Sequence, residues 1–382
     1  MLLAPICVTG FLCAVFFILY VLVGYPLLLG WRARHHPRSV ARGPFEPTVS
    51  IVIAVRNGGT FLEEKLRSVL ALDYPREKIQ VLVVSDGSTD QTDSIARQFE
   101  SKGITLLSVP PGGKAAALNA GIAQASGALL VLTDVRQQLS PDSLRLLAEN
   151  FADPSVGAAS AELVIRKGDN LEEASVGLYW RYELWIRLRL SEIDSIFGAT
   201  GAYYALRREL AVPLPPDTLL DDMYLPLSAF FKGYRLIVDP RARMFDYPTG
   251  IQSEFRRKVR TLAGNYQILQ AYPQLLGPSN RLWLHFVSYK FARLVLPFAL
   301  LALAGFSAGL PSPWNWWALA AQAGFLLLAL CDLWMPDNSP LKRLTSPIRT
   351  FTVLMASALC AVSIFFLPSA SLWKASQTRQ AR

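Results

Sequence analysis

Hydrophobic residues along this chain occur in two kinds of run: long uncharged runs near the ends, and short runs in the middle. Residues 6–30, 294–331 and 350–373 contain no charged side chain. A bilayer core takes about 20 apolar residues per helix, so these runs predict membrane spans. The run 294–331 is too long for one span, and its Pro311-Ser312-Pro313-Trp314-Asn315 segment indicates a hairpin at the membrane interface. Four spans are expected, at about 6–29, 291–310, 314–334 and 348–368.

The short apolar runs between residues 48 and 135 alternate with segments of helical spacing. The pattern predicts strands at 49–55, 81–84, 104–109 and 128–133, and helices at 60–72, 90–101 and 115–125. This order predicts an α/β fold with a doubly wound, mostly parallel sheet, flanked by the membrane helices. Three strands end at polar residues, near 54–57, 86 and 134. In such a sheet those ends meet at one ligand-binding crevice.

Basic residues beside the apolar runs predict the orientation of the chain in the membrane. The loop after the first span contains Arg32, Arg34, Arg38 and Arg42, and the loop before the last contains Lys342, Arg343 and Arg349. By the positive-inside rule both loops are cytoplasmic. The predicted organisation is a span in 1–31, a cytoplasmic domain in 43–280, three spans in 281–370 and a tail in 371–382. The basic tail would then lie outside, against the rule.

Composition excludes several classes of protein. The net charge of +9 is mostly beside the apolar runs, which favours anionic lipids over nucleic acid as the partner. The four cysteines and three histidines show neither zinc-site nor disulfide spacing. No Walker lysine motif and no Gly-x-Gly-x-x-Gly follows a predicted strand, which argues against P-loop and Rossmann enzymes.

Seven ordered motifs resemble those of the inverting family 2 glycosyltransferases with the GT-A fold. The motifs are Val49–Asn57, Val84–Thr92, Gly113–Gly121, Asp134, Gly198–Ala202, Asp221-Asp222 and Arg256–Arg260. The resemblance covers about 49–265, together with the attachment of membrane helices on either side. It implies an enzyme that transfers a sugar from a nucleotide-sugar, with UDP as the expected nucleotide.

The resemblance also implies roles for individual residues. Donor contacts fall on Ala54, Val55, Arg56, Asp86, Lys114, Asp134, Arg136, Arg257 and Arg260, and acceptor-side positions on Gly198, Thr200, Gly201 and Asp221. Asp222 matches the catalytic base, although an exposed acidic helix start is the alternative. A carboxylate at position 86 can accept the imide N–H of uracil, and an aspartate that only caps its turn is the alternative. Asp90 is instead expected to cap the following helix.

The main departure from the family pattern lies in Asp134-Val135-Arg136, where the family has Asp-x-Asp. Asp134 is expected to hold Mg²⁺ or Mn²⁺ at the diphosphate, because hard cations prefer oxygen ligands. Arg136 then pairs with a phosphate. The alternative is that Arg136 replaces much of the metal's electrostatic role and that cation dependence is weak.

These features predict a multi-pass inner (plasma) membrane enzyme with a cytoplasmic catalytic domain and a lipid-linked or saccharide acceptor, acting in cell-envelope or exopolysaccharide synthesis. A processive polysaccharide synthase is the alternative enzyme, but the chain has Arg257–Thr261 where the cellulose- and hyaluronan-type synthases have Gln-x-x-Arg-Trp. A catalytically silent nucleotide-binding scaffold is the alternative of another class. The segment 178–190 predicts a Trp- and Arg-rich helix, either at the membrane surface or in the core.

Overall fold

The computed structural model describes residues 3–165, 171–246, 251–336 and 339–374. The last part of the predicted tail, residues 375–382, lies outside them. Eight strands form one sheet: β1 (Val49–Val55), β2 (Ile79–Asp86), β3 (Ile104–Val109), β4 (Leu129–Thr133), β5 (Gln138–Leu139), β6 (Val156–Ile165), β7 (Tyr203–Arg207) and β8 (Arg235–Asp246). Their spatial order is β3-β2-β1-β4-β7-β6-β8-β5.

The first half of the sheet is parallel and the second half is mixed. β1 pairs in parallel with β2 and with β4, and β2 pairs in parallel with β3. β7 runs antiparallel to both β4 and β6, and β8 runs parallel to β6. The sheet is therefore mostly parallel, as the alternating sequence pattern predicts.

The helices flank the sheet or belong to the apolar runs. They are α1 (Leu3–Leu19), α2 (Tyr25–His35), α3 (Gly59–Leu70), α4 (Thr92–Gln98), α5 (Lys114–Gln124), α6 (Ser143–Glu149), α7 (Leu171–Ile193), α8 (Asp221–Phe231), α9 (Ile251–Ala271), α10 (Trp283–Phe286), α11 (Ala292–Ala308), α12 (Trp314–Cys331), α13 (Lys342–Ala361) and α14 (Ser369–Lys374). A five-residue π-helical segment, Tyr20–Gly24, joins α1 to α2.

The core explains why the central strands contain so few polar residues. Val49, Ile51, Val52 and Ile53 of β1 are all fully buried, so side chains on both faces of the strand are covered. A parallel strand between two layers of helices needs such a continuous apolar run. The core of this region contains residues from β1, β2, β4, β7 and β8 together with α3 and α6.

The chain divides into two compact units. One consists of His36–Arg166 and Arg187–Tyr247, and contains the sheet. The other consists of Met1–His35, Lys167–Ile186 and Pro248–Arg382. The predicted limits of 43 and 280 differ from this division, because segments 167–186 and 248–280 group with the apolar helices.

The second unit contains four helical segments that are long and apolar enough to cross a membrane, counted over the described residues. They are Ala4–His35, Trp283–Ala308, Trp314–Cys331 and Lys342–Phe365. Each overlaps one predicted span. Asp332, which is fully buried, bonds to the side chains of Arg349 and Thr345, so the charge at the end of α12 is compensated from α13. A buried carboxylate without such partners would strongly destabilise this helix pair.

Candidate active site

The carboxyl ends of three neighbouring strands converge, as the sequence predicts. β2, β1 and β4 are adjacent and parallel, and they end at Asp86, Val55 and Thr133. Parallel strands present their carboxyl ends at the same edge of a sheet, where α/β proteins bind ligands. The residues predicted at 54–56, 86 and 134 therefore lie along one edge of this sheet.

Asp86 organises the loop that leads into α5. Its buried carboxylate accepts the backbone N–H of Gly112 at 2.6 Å and that of Gly113 at 3.0 Å, and the Arg56 guanidinium lies 3.8 Å away. Gly87 has a φ of +59°, and a Cβ there would lie 2.8 Å from the ring of Pro111. The turn after β2 therefore requires glycine, and it brings the 110–113 loop onto Asp86.

Asp90 has the structural role that the sequence predicts, with one difference. α4 begins at Thr92, so Asp90 precedes its N-cap, Gln91, instead of occupying that position. The carboxylate accepts the backbone N–H of Thr92 at 3.0 Å and that of Gly59, the first residue of α3, at 2.9 Å. Burial alone raises the pKa of Asp90, but the hydrogen bonds from Thr92 and Gly59 outweigh it and hold the pKa below its ordinary value. Asp90 thus joins two helix N-termini.

Lys114 connects two predicted site carboxylates. It is the first residue of α5, and its Nζ lies 3.0 Å from Oδ1 of Asp134 and 3.1 Å from Oδ1 of Asp221. Burial alone lowers the pKa of Lys114, but the charges of Asp134, Asp221 and Asp222 outweigh it and raise the pKa above its ordinary value. The ammonium group is therefore a permanent cation at this edge.

Tyr204 lies beneath the same carboxylates. Its side chain is fully buried on β7, and its hydroxyl has no hydrogen-bond partner among the described residues. Burial raises the pKa of Tyr204, and the negative charges of Asp221, Asp222 and Asp134 raise it further. The phenol thus remains a neutral hydroxyl close to the carboxylates of Asp134, Asp221 and Asp222.

Asp134 has an accessible side chain, as a metal ligand requires. Its side chain is 41% exposed, and the described residues contain no group of three or more His, Cys, Asp or Glu side chains that could enclose an ion. A single accessible carboxylate suits Mg²⁺, which proteins hold through one or two carboxylates together with substrate phosphates and water. The residues therefore fit a cation that binds with a diphosphate.

Arg136 has an ionic partner within the protein. Its guanidinium donates to Oδ2 of Asp246 at the end of β8, and the amide of Gln137 donates to the same oxygen at 2.8 Å. The Arg136 side chain is 36% exposed, so part of it remains accessible to a ligand. The predicted contact between Arg136 and a phosphate stays a prediction.

The predicted acceptor loop packs on the helix that carries the predicted base. Oδ2 of Asp222 accepts the N–H of Gly201 at 3.1 Å, and the backbone oxygen of Asp222 accepts the N–H of Ala199 at 2.7 Å. A Cβ at Gly201 would lie 2.9 Å from that carboxylate oxygen, and a Cβ at Gly198 would lie 2.4 Å from Cγ of Met223. The glycines therefore allow the loop to approach the start of α8 closely.

Arg187, which no sequence motif marks as a site residue, supports the same loop. Its guanidinium donates to Oγ1 of Thr200 at 2.7 Å and to the backbone oxygen of Gly198 at 3.3 Å. Oγ of Ser160 accepts from Arg187 at 3.2 Å and from the N–H of Thr200 at 2.8 Å. Arg187 belongs to the unit that contains the sheet, whereas residues 178–186 of the same predicted helix belong to the unit that contains the apolar helices.

Arg257 and Arg260 lie on α9, in the unit that contains the apolar helices. The Arg257 guanidinium stacks over the ring of Trp180, 5.2 Å from its centroid, and the Lys258 ammonium lies 5.3 Å from the same centroid. Their predicted contact with the donor diphosphate stays a prediction.

Two family models match the chain. The model of glycosyl transferase family 2 matches residues 50–212, and that of glycosyl transferase family group 2 matches residues 132–331, which is more than half of the chain.

Poly-beta-1,6-N-acetyl-D-glucosamine synthase of Staphylococcus aureus (strain COL) is 25% identical over 229 residues, covering 58% of this chain and 55% of that protein. The probable glycosyltransferase YdaM of Bacillus subtilis (strain 168) is 24% identical over 246 residues, covering 58% of this chain and 56% of that protein. The chain thus matches little more than half the length of these curated relatives.

A solved structure shares the architecture over nearly the whole chain. The mannosyltransferase PcManGT from Pyrobaculum calidifontis, in complex with GDP-Man and Mn²⁺, is 26% identical, with a TM-score of 0.71. The alignment covers 94% of this chain and 99% of that chain. The chain accordingly belongs to glycosyl transferase family group 2, and it is a glycosyltransferase with the GT-A fold.

Proposed function

We propose that this membrane glycosyltransferase transfers a sugar, with inversion, from a nucleoside diphosphate sugar to a lipid-linked or saccharide acceptor at the cytoplasmic face of the plasma membrane. The observation that carries the proposal is the position of Lys114, at the N-terminus of α5 and between the carboxylates of Asp134 and Asp221. A helix N-terminus and an ammonium group both favour a diphosphate.

The base of the donor is assigned to the edge formed by Ala54, Val55, Arg56 and Asp86. A carboxylate can accept the imide N3–H of uracil or the lactam N1–H of guanine, so Asp86 alone does not separate the two bases. UDP is the first candidate, from the family resemblance. GDP is the second, because the solved structure of PcManGT is a complex with GDP-Man.

Asp222 is assigned the role of general base for the acceptor hydroxyl. Inverting transfer is a direct displacement at the anomeric carbon, and the attacking hydroxyl must lose its proton as the new bond forms. The Gly201 N–H holds one oxygen of this carboxylate beside the acceptor loop. Lys114 meanwhile places a positive charge where the leaving diphosphate gains negative charge.

Asp134 is the residue that would hold Mg²⁺ or Mn²⁺ in this proposal. When bound, such a cation supplies charge stabilisation for the departing diphosphate. Arg136, partly exposed beside Asp134, is assigned to a phosphate oxygen. The lipid-linked acceptor follows from the four candidate membrane helices, which would bring the enzyme to the surface where such acceptors are presented.

A processive polysaccharide synthase is the second candidate function. The Staphylococcus aureus relative, named as a polymer synthase, favours it. The absence of a tryptophan after Arg260, where Thr261 stands, argues against it because an aromatic platform for a growing saccharide is missing from the motif. Product length separates the two: single-sugar addition supports the first proposal, and a ladder of products supports the second.

The experiment uses the purified full chain in detergent. Binding of UDP and of GDP is measured by calorimetry with Mn²⁺, and donor hydrolysis and transfer are then measured for the sugars of the nucleotide that binds. Asp86→Asn is expected to weaken nucleotide binding, whereas the control Asp73→Asn, at a side chain 71% exposed, leaves it unchanged. Nucleotide binding without any turnover would instead support the silent scaffold, and no binding of either nucleotide would overturn the proposal.

A further inference from the structure

Lys65 is a fully buried lysine on the core-facing side of α3. Its neighbours on this face of the helix, Leu62, Leu66 and Val69, are buried apolar residues. Lys65 itself is 1% exposed. Burying an ammonium group is costly compared with burying an apolar side chain of the same size. The contacts of Lys65 must therefore offset the cost of burying its amine.

Those contacts are at the two ends of one short turn. Nζ of Lys65 donates to Oγ1 of Thr133 and to the backbone oxygen of Gln137, both at 2.7 Å. Thr133 is the last residue of β4, and Gln137 precedes β5. The turn between them presents Asp134 and Arg136. One buried amine thus holds both ends of the segment that carries the donor-side charges.

The same amine is connected to the acceptor loop. Because Oγ1 of Thr133 accepts from Lys65, its own hydrogen is directed to the backbone oxygen of Ala202, at 2.7 Å. The N–H of Asp134 donates to that oxygen as well, at 3.2 Å. Ala202 directly follows the loop 198–201. Lys65 therefore supports the arrangement of Asp134 relative to Ala202 through Thr133.

We propose that Lys65 is a positioning residue, which fixes the 133–137 turn and so the direction in which Asp134 presents its carboxylate to the donor diphosphate. The structural part of this inference depends only on the contacts of Lys65. The part that concerns the donor rests on the proposed function. Burial lowers the pKa of Lys65 to about 7, with the charge of Asp134 opposing the shift, and both the charged and the neutral amine retain N–H donors for the two oxygens.

The test compares Lys65→Met with the matched control Leu66→Met, a volume-conserving change at the next buried position of the same helix. Hydrogen exchange of the full chain in detergent is followed by mass spectrometry. Lys65→Met is expected to speed exchange in peptides covering 134–137 by about tenfold, corresponding to about 1.4 kcal/mol of lost local stability. The control is expected to leave these peptides unchanged. Equal exchange in wild type and Lys65→Met would overturn the assignment.

Binding of UDP and GDP with and without Mn²⁺ tests the donor part. Lys65→Met is expected to weaken Mn²⁺-supported binding about tenfold and to change metal-free binding much less, a difference that general destabilisation would not produce. Thr133→Val removes the same hydrogen bond between Lys65 and Thr133. The binding free energy lost in the double variant should therefore be smaller than the sum of the losses in the two single variants. Faster exchange with unchanged Mn²⁺-supported binding would refute the donor role. A wild type that binds neither nucleotide refutes the proposed function, and with it the donor role of Lys65, while the exchange result still decides the structural part.

Discussion

Nζ of Lys114 and Oδ1 of Asp134 lie 3.0 Å apart, so the first residue of α5 is the ionic partner of the carboxylate that follows β4. A divalent cation held by Asp134 would share that carboxylate with Lys114. The lysine also binds Asp221, which is almost completely buried. The contacts of this one ammonium group therefore link the predicted metal ligand to the residue next to the predicted base.

Replacing Lys114 is expected to affect both binding and stability. Lys114→Met should weaken UDP or GDP binding by about tenfold to hundredfold, because a charged hydrogen bond contributes about 1.5–3 kcal/mol. It should also lower the thermal midpoint near neutral pH, since Asp221 is left buried without its cation. Calorimetry and thermal scans measure both effects. The control is Lys102→Met, at an exposed lysine. Wild-type nucleotide affinity in Lys114→Met would contradict the assignment of Lys114 to the donor diphosphate.

Asp222→Asn separates catalysis from binding. The amide oxygen of asparagine can still accept the Gly201 N–H, so the loop contact is expected to survive. Asparagine cannot take the proton of the acceptor hydroxyl, so kcat should fall by about two to four orders of magnitude. Nucleotide affinity should stay within about twofold of wild type. Steady-state kinetics and calorimetry decide the matter, and a variant that keeps its kcat but loses nucleotide affinity would assign Asp222 to the donor instead.

Gly201→Ala tests the close approach of the acceptor loop to Asp222. The added Cβ would lie 2.9 Å from Oδ2 of Asp222, so the carboxylate must move. We expect kcat to fall about tenfold or more, with a small change in thermal midpoint because the displaced atom ends a side chain. Gly305→Ala is the control, since a Cβ at Gly305 meets nothing within 4 Å. A Gly201→Ala enzyme with wild-type kcat would show that the Asp222 carboxylate need not occupy this position.

Removal of divalent cations distinguishes the two explanations of the Asp134-Val135-Arg136 segment. If a cation on Asp134 is required, EDTA should reduce turnover about a hundredfold or more, and Mn²⁺ or Mg²⁺ should restore it. Asp134→Asn should then raise the Mn²⁺ concentration needed for half-maximal rate. Arg136→Gln should reduce the rate without that change, because a guanidinium has only N–H donors and no acceptor with which to bind a cation. Full activity in EDTA would favour the explanation in which Arg136 replaces the metal.

The central strands could be predicted because their physical cause is local. β1 is predicted at 49–55 and observed at Val49–Val55, since an uninterrupted apolar run ends where Arg56-Asn57 begins. β2 is predicted at 81–84 but extends over Ile79–Asp86. Its polar positions are stabilised by distant partners: Gln80, for example, accepts hydrogen bonds from Ser50 and Ser126. Such nonlocal bonds leave no periodic signal in the sequence.

The positions of candidate site residues were predictable where those residues follow strand ends, and less so elsewhere. Asp86 and Asp134 were identified because a charged residue directly follows a buried strand. Lys65 and Arg187 gave no comparable signal, since a single basic residue in a helical pattern ordinarily lies on a solvated face. Their roles depend on what the fold brings against them, Thr133 for Lys65 and Thr200 for Arg187.

The buried Lys65 predicts a specific dependence of stability on pH. Burial lowers its pKa from 10.5 to about 7 in the folded protein, with Asp134 opposing the shift. Between about pH 7 and pH 10.5 the unfolded chain therefore holds one more proton at this residue than the folded chain does. The free energy of unfolding should rise with pH in that window, by at most about 1.4 kcal/mol per pH unit. Below about pH 7 both states hold the proton, and the cost of burying the charge is fully present.

Lys65→Met isolates this contribution, because the other titrating groups remain in both proteins and largely cancel in the difference. The stability of wild type relative to Lys65→Met should therefore increase as the pH is raised from about 7 to about 9.5, which thermal scans in detergent can measure. Lys102→Met, at an exposed lysine, should give a difference from wild type that is nearly independent of pH. Parallel pH curves for wild type and Lys65→Met would mean that the lysine titrates alike in the folded and unfolded chains, in which case burial has not perturbed it.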